Sequence, residues 1–286
     1  MAQPHENPPL EASSKRIEWP LSPEQLASQL STILRGTPRQ TWENTPSKDT
    51  PTMLTSGYLD TTPPQAIQFR ITKERYQYTE QGPRYDELRI RLFQGLDEES
   101  LSTPATRNAD DREKRRKEDQ HEVAQFILVH KPAEQTWDCV DRYINKKHRG
   151  KGIFTGIVRA GEDWVRSFSV KDDQKLTVDN IPQRSVLRSF IKLGYQPRSE
   201  EDTRNIARME SDSSLIEAYP TTSDGHELID LDKCIFDPKA LSNPDQRPVE
   251  KALFVKLEKI FPRNSPNVGE GQKHTQREIG GTLGAQ

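Results

Sequence analysis

The feature that most constrains this chain is a change of period along one continuous stretch. Residues 136–144, TWDCVDRYI, alternate as a strand, with Val140, Arg142 and Ile144 on one side and Cys139, Asp141 and Tyr143 on the other. Residues 146–152 then read KKHRGKG, a basic turn that contains glycine. From there the apolar positions recur every three or four residues: Ile153, Ile157, Ala160, Trp164 and Phe168, with Phe154, Val158 and Val165 beside them. Thr155, Arg159, Glu162, Asp163 and Arg166 take the opposite side, so the spacing predicts an amphipathic helix of roughly four turns.

Strand, glycine-bearing turn and helix together form a device for holding an anion. The first amides of a helix have no partner within it and sit at the positive end of its dipole. Glycine lets an anionic group come close to the backbone. Lys147, Arg149 and Lys151 add positive charge at the same point. The expected ligand is a phosphate or pyrophosphate. The spacing is neither that of a P-loop nor that of a dinucleotide-binding GxGxxG turn.

Two blocks carry a family resemblance. Arg149-Gly150-Lys151-Gly152-Ile153-Phe154 is similar to the coenzyme A turn, Q/R-x-x-G-x-G/A, of the GNAT superfamily of acetyl-CoA-dependent N-acetyltransferases. Arg149 and Gly152 match that pattern, and Phe154 departs from it, standing where Gly or Ala is usual. Ser189-Phe190-Ile191-Lys192-Leu193-Gly194-Tyr195 resembles the family's L-Y-E-K-L-G-F helix end, at a fitting distance downstream. The resemblance is strong over residues 136–195 and weak elsewhere.

The resemblance implies an α/β (α+β) fold: a twisted mixed sheet of about six or seven strands with helices on both faces. The organising strand and the strand at residues 175–178 are expected to splay apart, and acetyl-CoA is the expected cosubstrate in that wedge. Its pyrophosphate would lie on the amides of residues 150–155, that is Gly150, Lys151, Gly152, Ile153, Phe154 and Thr155, with Arg149 alongside. Its pantetheine arm would follow the strand edge at Tyr143, Ile144 and Asn145, where an amide near Ile144 would polarise the thioester. Gln183 falls where relatives often carry an Asn that contacts coenzyme A. The chemistry calls for no metal.

The acid–base residues follow from the same comparison. A base must take a proton from the attacking amine. Asp138 stands where many relatives carry Glu, Asp141 is the other choice, and a bulge in the strand would exchange their faces. Glu122 is a third. Where relatives place a Tyr acid this chain has Phe190, and Tyr195 falls at a packing position. Two functions are therefore carried forward: an acetyltransferase acting on an amine of unknown class, and a GNAT-like binding or interaction module without catalysis. A fold outside the family, whose turn matches by chance, is the third reading. Cys139 reads as a small packed residue.

Composition limits the rest. Apolar residues are 31% of the chain and charged residues 30%, with 21 prolines, which is too polar for every residue to pack. One domain over residues 16–262 is expected, with a charged insertion at 97–121, a polar insertion at 197–248 and disordered tails at 1–15 and 263–286. The insertions are candidate surfaces for a protein partner. A net charge of −2 gives no global case for nucleic acid, and no aromatic stacking pattern accompanies the basic turn. No apolar run reaches membrane-spanning length, and residues 1–16 lack the apolar segment of a secretory signal. Two cysteines, Cys139 and Cys234, fit a cytoplasmic protein with reduced thiols.

Along the remainder, residues 16–19 read as a strand, and Ser22 with Pro23 starts a helix that Gly36 ends. Residues 37–65 read as loop. Strands are expected at 66–71, 87–93, 123–130, 175–178, 228–236 and 252–257, with a short helix around Ile206.

Overall fold

The computed structural model describes residues 19–37, 51–61, 66–77, 84–106, 111–168, 172–219, 233–238 and 252–263. Its centre is a sheet of eight strands among these residues, ordered β1-β2-β3-β4-β5-β6-β10-β7. The strands are β1 (Thr52–Tyr58), β2 (Ile67–Gln77), β3 (Arg84–Gln94), β4 (Glu122–Lys131), β5 (Thr136–Ile144), β6 (Gln174–Ile181), β7 (Gln196–Pro197) and β10 (Val255–Phe261). All neighbours are antiparallel except β5 and β6. β8 (Ile216–Ala218) and β9 (Cys234–Phe236) form a separate two-stranded ladder.

Helices lie on both faces, as the α+β reading requires. Residues paired across a ladder share a face. Phe69, Ile71, Leu88, Ile90, Leu92, Phe126, Leu128 and Cys139 are linked in this way and all are buried. Over this apolar face lie helix α1 (Pro23–Gly36) and helix α4 (Ile153–Arg166), packed closely against each other. Each fully buried Leu, Ile or Phe there contributes about 1.5–3 kcal/mol. α1 starts as its sequence predicts: Gln25 N–H donates to Ser22 Oγ at 3.2 Å, and Ser22 N–H donates back to Gln25 Oε1 at 2.8 Å. Helix α5 (Arg184–Lys192) buries Leu187 and Phe190, and helix α6 (Glu200–Ser211) packs on β10.

The opposite face is charged. Arg70, Thr72, Glu74, Glu87, Arg89 and Arg91 lie on it through the same pairing. It is covered by two helices from the segment read as a charged insertion, α2 (Glu98–Ser102) and α3 (Arg112–His121). Glu118 of α3 is 1% exposed. It accepts from Arg70 Nη1 and Nη2 at 2.9 and 2.5 Å and from Arg91 Nη1 at 2.5 Å. Arg91 Nε donates to Glu122 Oε1 at 2.8 Å. The charge pattern of residues 110–119 conceals this pairing, because its partners stand far away in sequence.

Three further readings change. The sheet has eight strands rather than six or seven, since β1 arises within residues read as loop and the two-residue β7 adds an edge. The last strand begins at Val255, later than expected. The strand read at residues 16–19 lies mostly outside the described residues, as does the first part of the one at 228–236.

Candidate active site

β5 is paired on both sides over only half its length. Its parallel ladder with β6 joins Thr136–Cys139 to Lys175–Val178 and stops there. β5 continues to Ile144 and β6 to Ile181, so the two strands part. The backbone itself exposes a polar edge in the gap. Asn145 N–H donates to Val123 O across the β4 side at 2.9 Å. Strand alternation therefore turns the Ile144 N–H towards the gap. Arg142 Nη2 reaches across to Asn180 O at 3.2 Å.

The ladder with β4 contains a bulge. Leu128 pairs with Cys139 and Ile127 with Asp141, which leaves Val140 as the extra residue. Simple alternation is thereby overturned. Cys139 joins Arg142 and Ile144 on the apolar-core face, and Asp138, Asp141 and Tyr143 share the charged face. The two candidate carboxylates stand on one side, but in different surroundings. Asp138 lies in the closed half, opposite Thr177, where it accepts a hydrogen bond from the Thr177 hydroxyl and an ion pair from Lys131 Nζ at 2.5 Å. Asp141 lies in the open half, is exposed, and accepts from Gln125 Nε2 at 2.7 Å.

At the end of β5 the chain makes a single 3-10 turn, Lys146–His148. Asn145 caps it: its Oδ1 accepts from Lys147 N–H at 3.1 Å, and its Nδ2 donates to Glu122 O at 3.2 Å. Arg149 Nε donates to Ile144 O at 3.1 Å. Gly150 and Gly152 then adopt φ of 74° and 77°, left-handed values that glycine takes without strain. Gly152 is the N-cap of α4 and offers no side chain to the first amides. It also lies against α1, where an added Cβ would stand 2.3 Å from Pro23 Cγ. The position admits only glycine on both counts, and Gly152→Asp would disturb the α1–α4 contact as well as the turn.

A cleft of about 660 Å³ opens between these elements. Tyr143, Ile144, Arg149, Gly150, Gly152, Ile153, Phe154 and Gln183 line it, as does Asp141. Asp138, Asn145, Lys151, Thr155 and Phe190 were expected at the same site but are not among its lining residues. Lys151 and Thr155 flank the turn. Phe190 is fully buried, in edge-to-face contact with Phe154 and Tyr195 at 5.2 and 4.9 Å between centroids. Tyr195 is no nearer to the cleft. Burial pushes its phenol well above the usual range, and the Glu162 carboxyl beside it pushes it further. Burial likewise pushes the Cys139 thiol up to about 12, which rules it out as a thiolate nucleophile.

Residues that the sequence did not mark as site candidates also line the cleft: His148, Arg142, Ser185, Val186, Ser189, Glu217, Tyr219 and Lys233. Burial, then Lys151 and Lys147, lower the His148 pKa. Its Nδ1 is buried without a hydrogen-bond partner among the described residues. His148 stood in plain view in the basic turn, but only the fold sets it against Trp19, at 6.0 Å. Glu217, Tyr219 and Lys233 come from the polar insertion, where no periodicity marks them.

No helix among the described residues is long and apolar enough to cross a membrane. No family model matches the chain, and no curated relative matches it. Among solved structures, the crystal structure of nourseothricin acetyltransferase is similar to this chain at 11% identity, covering 72% of this chain and 88% of that one, with a TM-score of 0.29.

Proposed function

We propose that this chain is an acyl-CoA-dependent N-acetyltransferase of the GNAT type, moving an acetyl group from acetyl-CoA directly to an amine. The observation that carries this reading is the parting of β5 and β6 after Cys139 and Val178, with a two-glycine turn and an uncapped helix start at its end. The amides at the start of α4 suit a pyrophosphate, and Arg149 and Lys151 add charge beside them. The Ile144 N–H suits the oxyanion that forms when the amine attacks the thioester carbon. As the C–N bond forms and the C–S bond breaks, the amine nitrogen loses a proton towards Asp141, directly or through water, and the thiolate departs. Asp141 is the better-placed carboxylate, because Asp138 is engaged by Lys131 and Thr177. A cytoplasmic setting belongs to this reading.

One observation favours the second reading, a coenzyme A-binding module without catalysis. Phe190 and Tyr195 are packed in the core, so neither supplies a proton to the leaving thiolate. The test is incubation with acetyl-CoA and a panel of amines while free thiol is followed. Thiol release that depends on amine and falls at least tenfold in Asp141→Asn supports the transferase. Coenzyme A binding without thiol release on any amine supports the module.

A further inference from the structure

The Asp141 carboxylate, which lines the cleft, is held by one donor on each oxygen. Arg142 N–H donates to its Oδ1 at 2.7 Å, and Gln125 Nε2 donates to its Oδ2 at 2.7 Å. The two donors come from different sides. Asn145 N–H turns to β4, so alternation along the regular end of β5 turns the Arg142 and Ile144 N–H groups to the edge that β6 has left. Oδ1 therefore rests on an amide of the open edge. The next amide along that edge is Ile144 N–H, the one suited to the oxyanion. Gln125 reaches Oδ2 from β4. It pairs with Tyr143 and Ile127 pairs with Asp141, so Gln125 and Asp141 are diagonal neighbours on one face.

The chemistry of the pair fixes its sense. An ionised carboxylate only accepts, so the Gln125 amide must present its nitrogen to it. One donor on one oxygen leaves the carboxylate plane free to turn about that bond, and a second donor on the other oxygen fixes it. A carboxylate has about four lone-pair sites, so two donors leave room for a third partner. Asp138 differs on this point: Lys131 gives it a partner with a full positive charge, whereas the Gln125 amide orients Asp141 and adds no charge.

We propose that Gln125 is a positioning residue for the transfer: it fixes the Asp141 carboxylate so that a free lone pair meets the attacking amine beside the Ile144 N–H. The inference rests on the transferase reading above, with Asp141 as its base. It adds a residue from β4, which the strand–turn–helix unit does not contain.

Steady-state thiol release by the full chain, with acetyl-CoA and the amine that the wild type uses fastest, tests it. Gln125→Leu is expected to lower kcat about tenfold and to leave the KM for acetyl-CoA within about twofold. Gln125→Glu keeps the shape but sets a second carboxylate against Asp141, and should lose at least as much. In an Asp141→Asn background, Gln125→Leu should cost nothing further, because a positioning residue acts only through the group it positions. A kcat for Gln125→Leu within about twofold of wild type, or an equal loss in the Asp141→Asn background, overturns the positioning role; with Asp141→Asn itself slow, the transferase reading then stands. A wild type that releases no thiol, or an Asp141→Asn variant as fast as wild type, overturns Asp141 as the base and the positioning role together.

Discussion

The sheet has two regions that treat charge in opposite ways. From β1 to β4 the ladders are long, with eleven uninterrupted paired positions between β2 and β3 alone, and charged side chains of that face pair with one another beneath α3. Between β5 and β6 only four positions pair, and cations near the opening, Arg149 and Lys233 among them, face a cleft. The first region is a frame and the second an aperture. The contrast shows two uses of charge: Arg70, Arg91 and Glu118 pair beneath a helix inside the frame, whereas Arg149 of the basic turn borders the cleft.

Removing a charge from the frame should produce the largest effect. Glu118→Ala would leave the Arg70 guanidinium buried and Arg91 short of a partner, a loss of about 3–5 kcal/mol. Burial opposes its ionisation, but Arg70 and Arg91 together hold the Glu118 carboxyl below the usual range. Urea unfolding should show that loss, and coenzyme A affinity measured below the transition should be unchanged. An effect under 1 kcal/mol would mean that α3 is a surface ornament, and the frame would not extend to residues 112–121.

A packing change where frame and aperture meet should cost less. An added Cβ on Gly161 of α4 would stand 2.6 Å from Phe126 Cε1 in β4. Gly161→Ala is expected to cost about 1–3 kcal/mol through this overpacking. A parallel loss of ligand affinity would break the comparison, since frame and aperture would then move as one unit.

The smallest effect concerns pH. His130 stacks on Trp137 at 4.2 Å, and burial lowers its pKa from 6.5 to about 4. The unfolded chain therefore takes up a proton near pH 6.5 that the fold refuses until about pH 4. Stability held by the neutral ring is whole above pH 6.5 and drains away as pH falls to about 4. His130→Phe should flatten unfolding free energy across that window. An unchanged slope would show that other groups set the acid response.

How much of this was legible in the sequence differs between the two regions. The aperture was largely readable, because its parts are local: the period change at residues 144–153, two glycines and a row of cations fix a turn at a helix start. Its exceptions have physical causes. The bulge at Val140 leaves no mark in the residue types, and it put the two aspartates on one face and Cys139 on the other. Phe190 sits at the expected helix end, but packing turns it into the core. The frame was legible in its strands and illegible in its electrostatics. Arg70 and Glu118 are 48 positions apart, so no local pattern announces their pairing. Tyr219 and Lys233 were hidden in the same way, since the ladder between Ala218 and Cys234 is what brings them together.

The central claim is that the glycine turn receives the pyrophosphate of coenzyme A, and one pair of variants tests it directly. Gly150 has a φ of 74° and, among the described residues, nothing within 4 Å of an added Cβ, so a side chain there acts on the ligand's space and the turn's backbone. Asn and Asp both tolerate the left-handed conformation better than other side chains and differ mainly in charge. The measurement is coenzyme A affinity by calorimetry for Gly150→Asn against Gly150→Asp, with melting temperatures recorded alongside. Binding about tenfold or more weaker in the Asp variant than in the Asn variant, at equal melting temperatures, is the predicted result. Equal affinities in two folded variants would contradict it and remove the pyrophosphate from this turn.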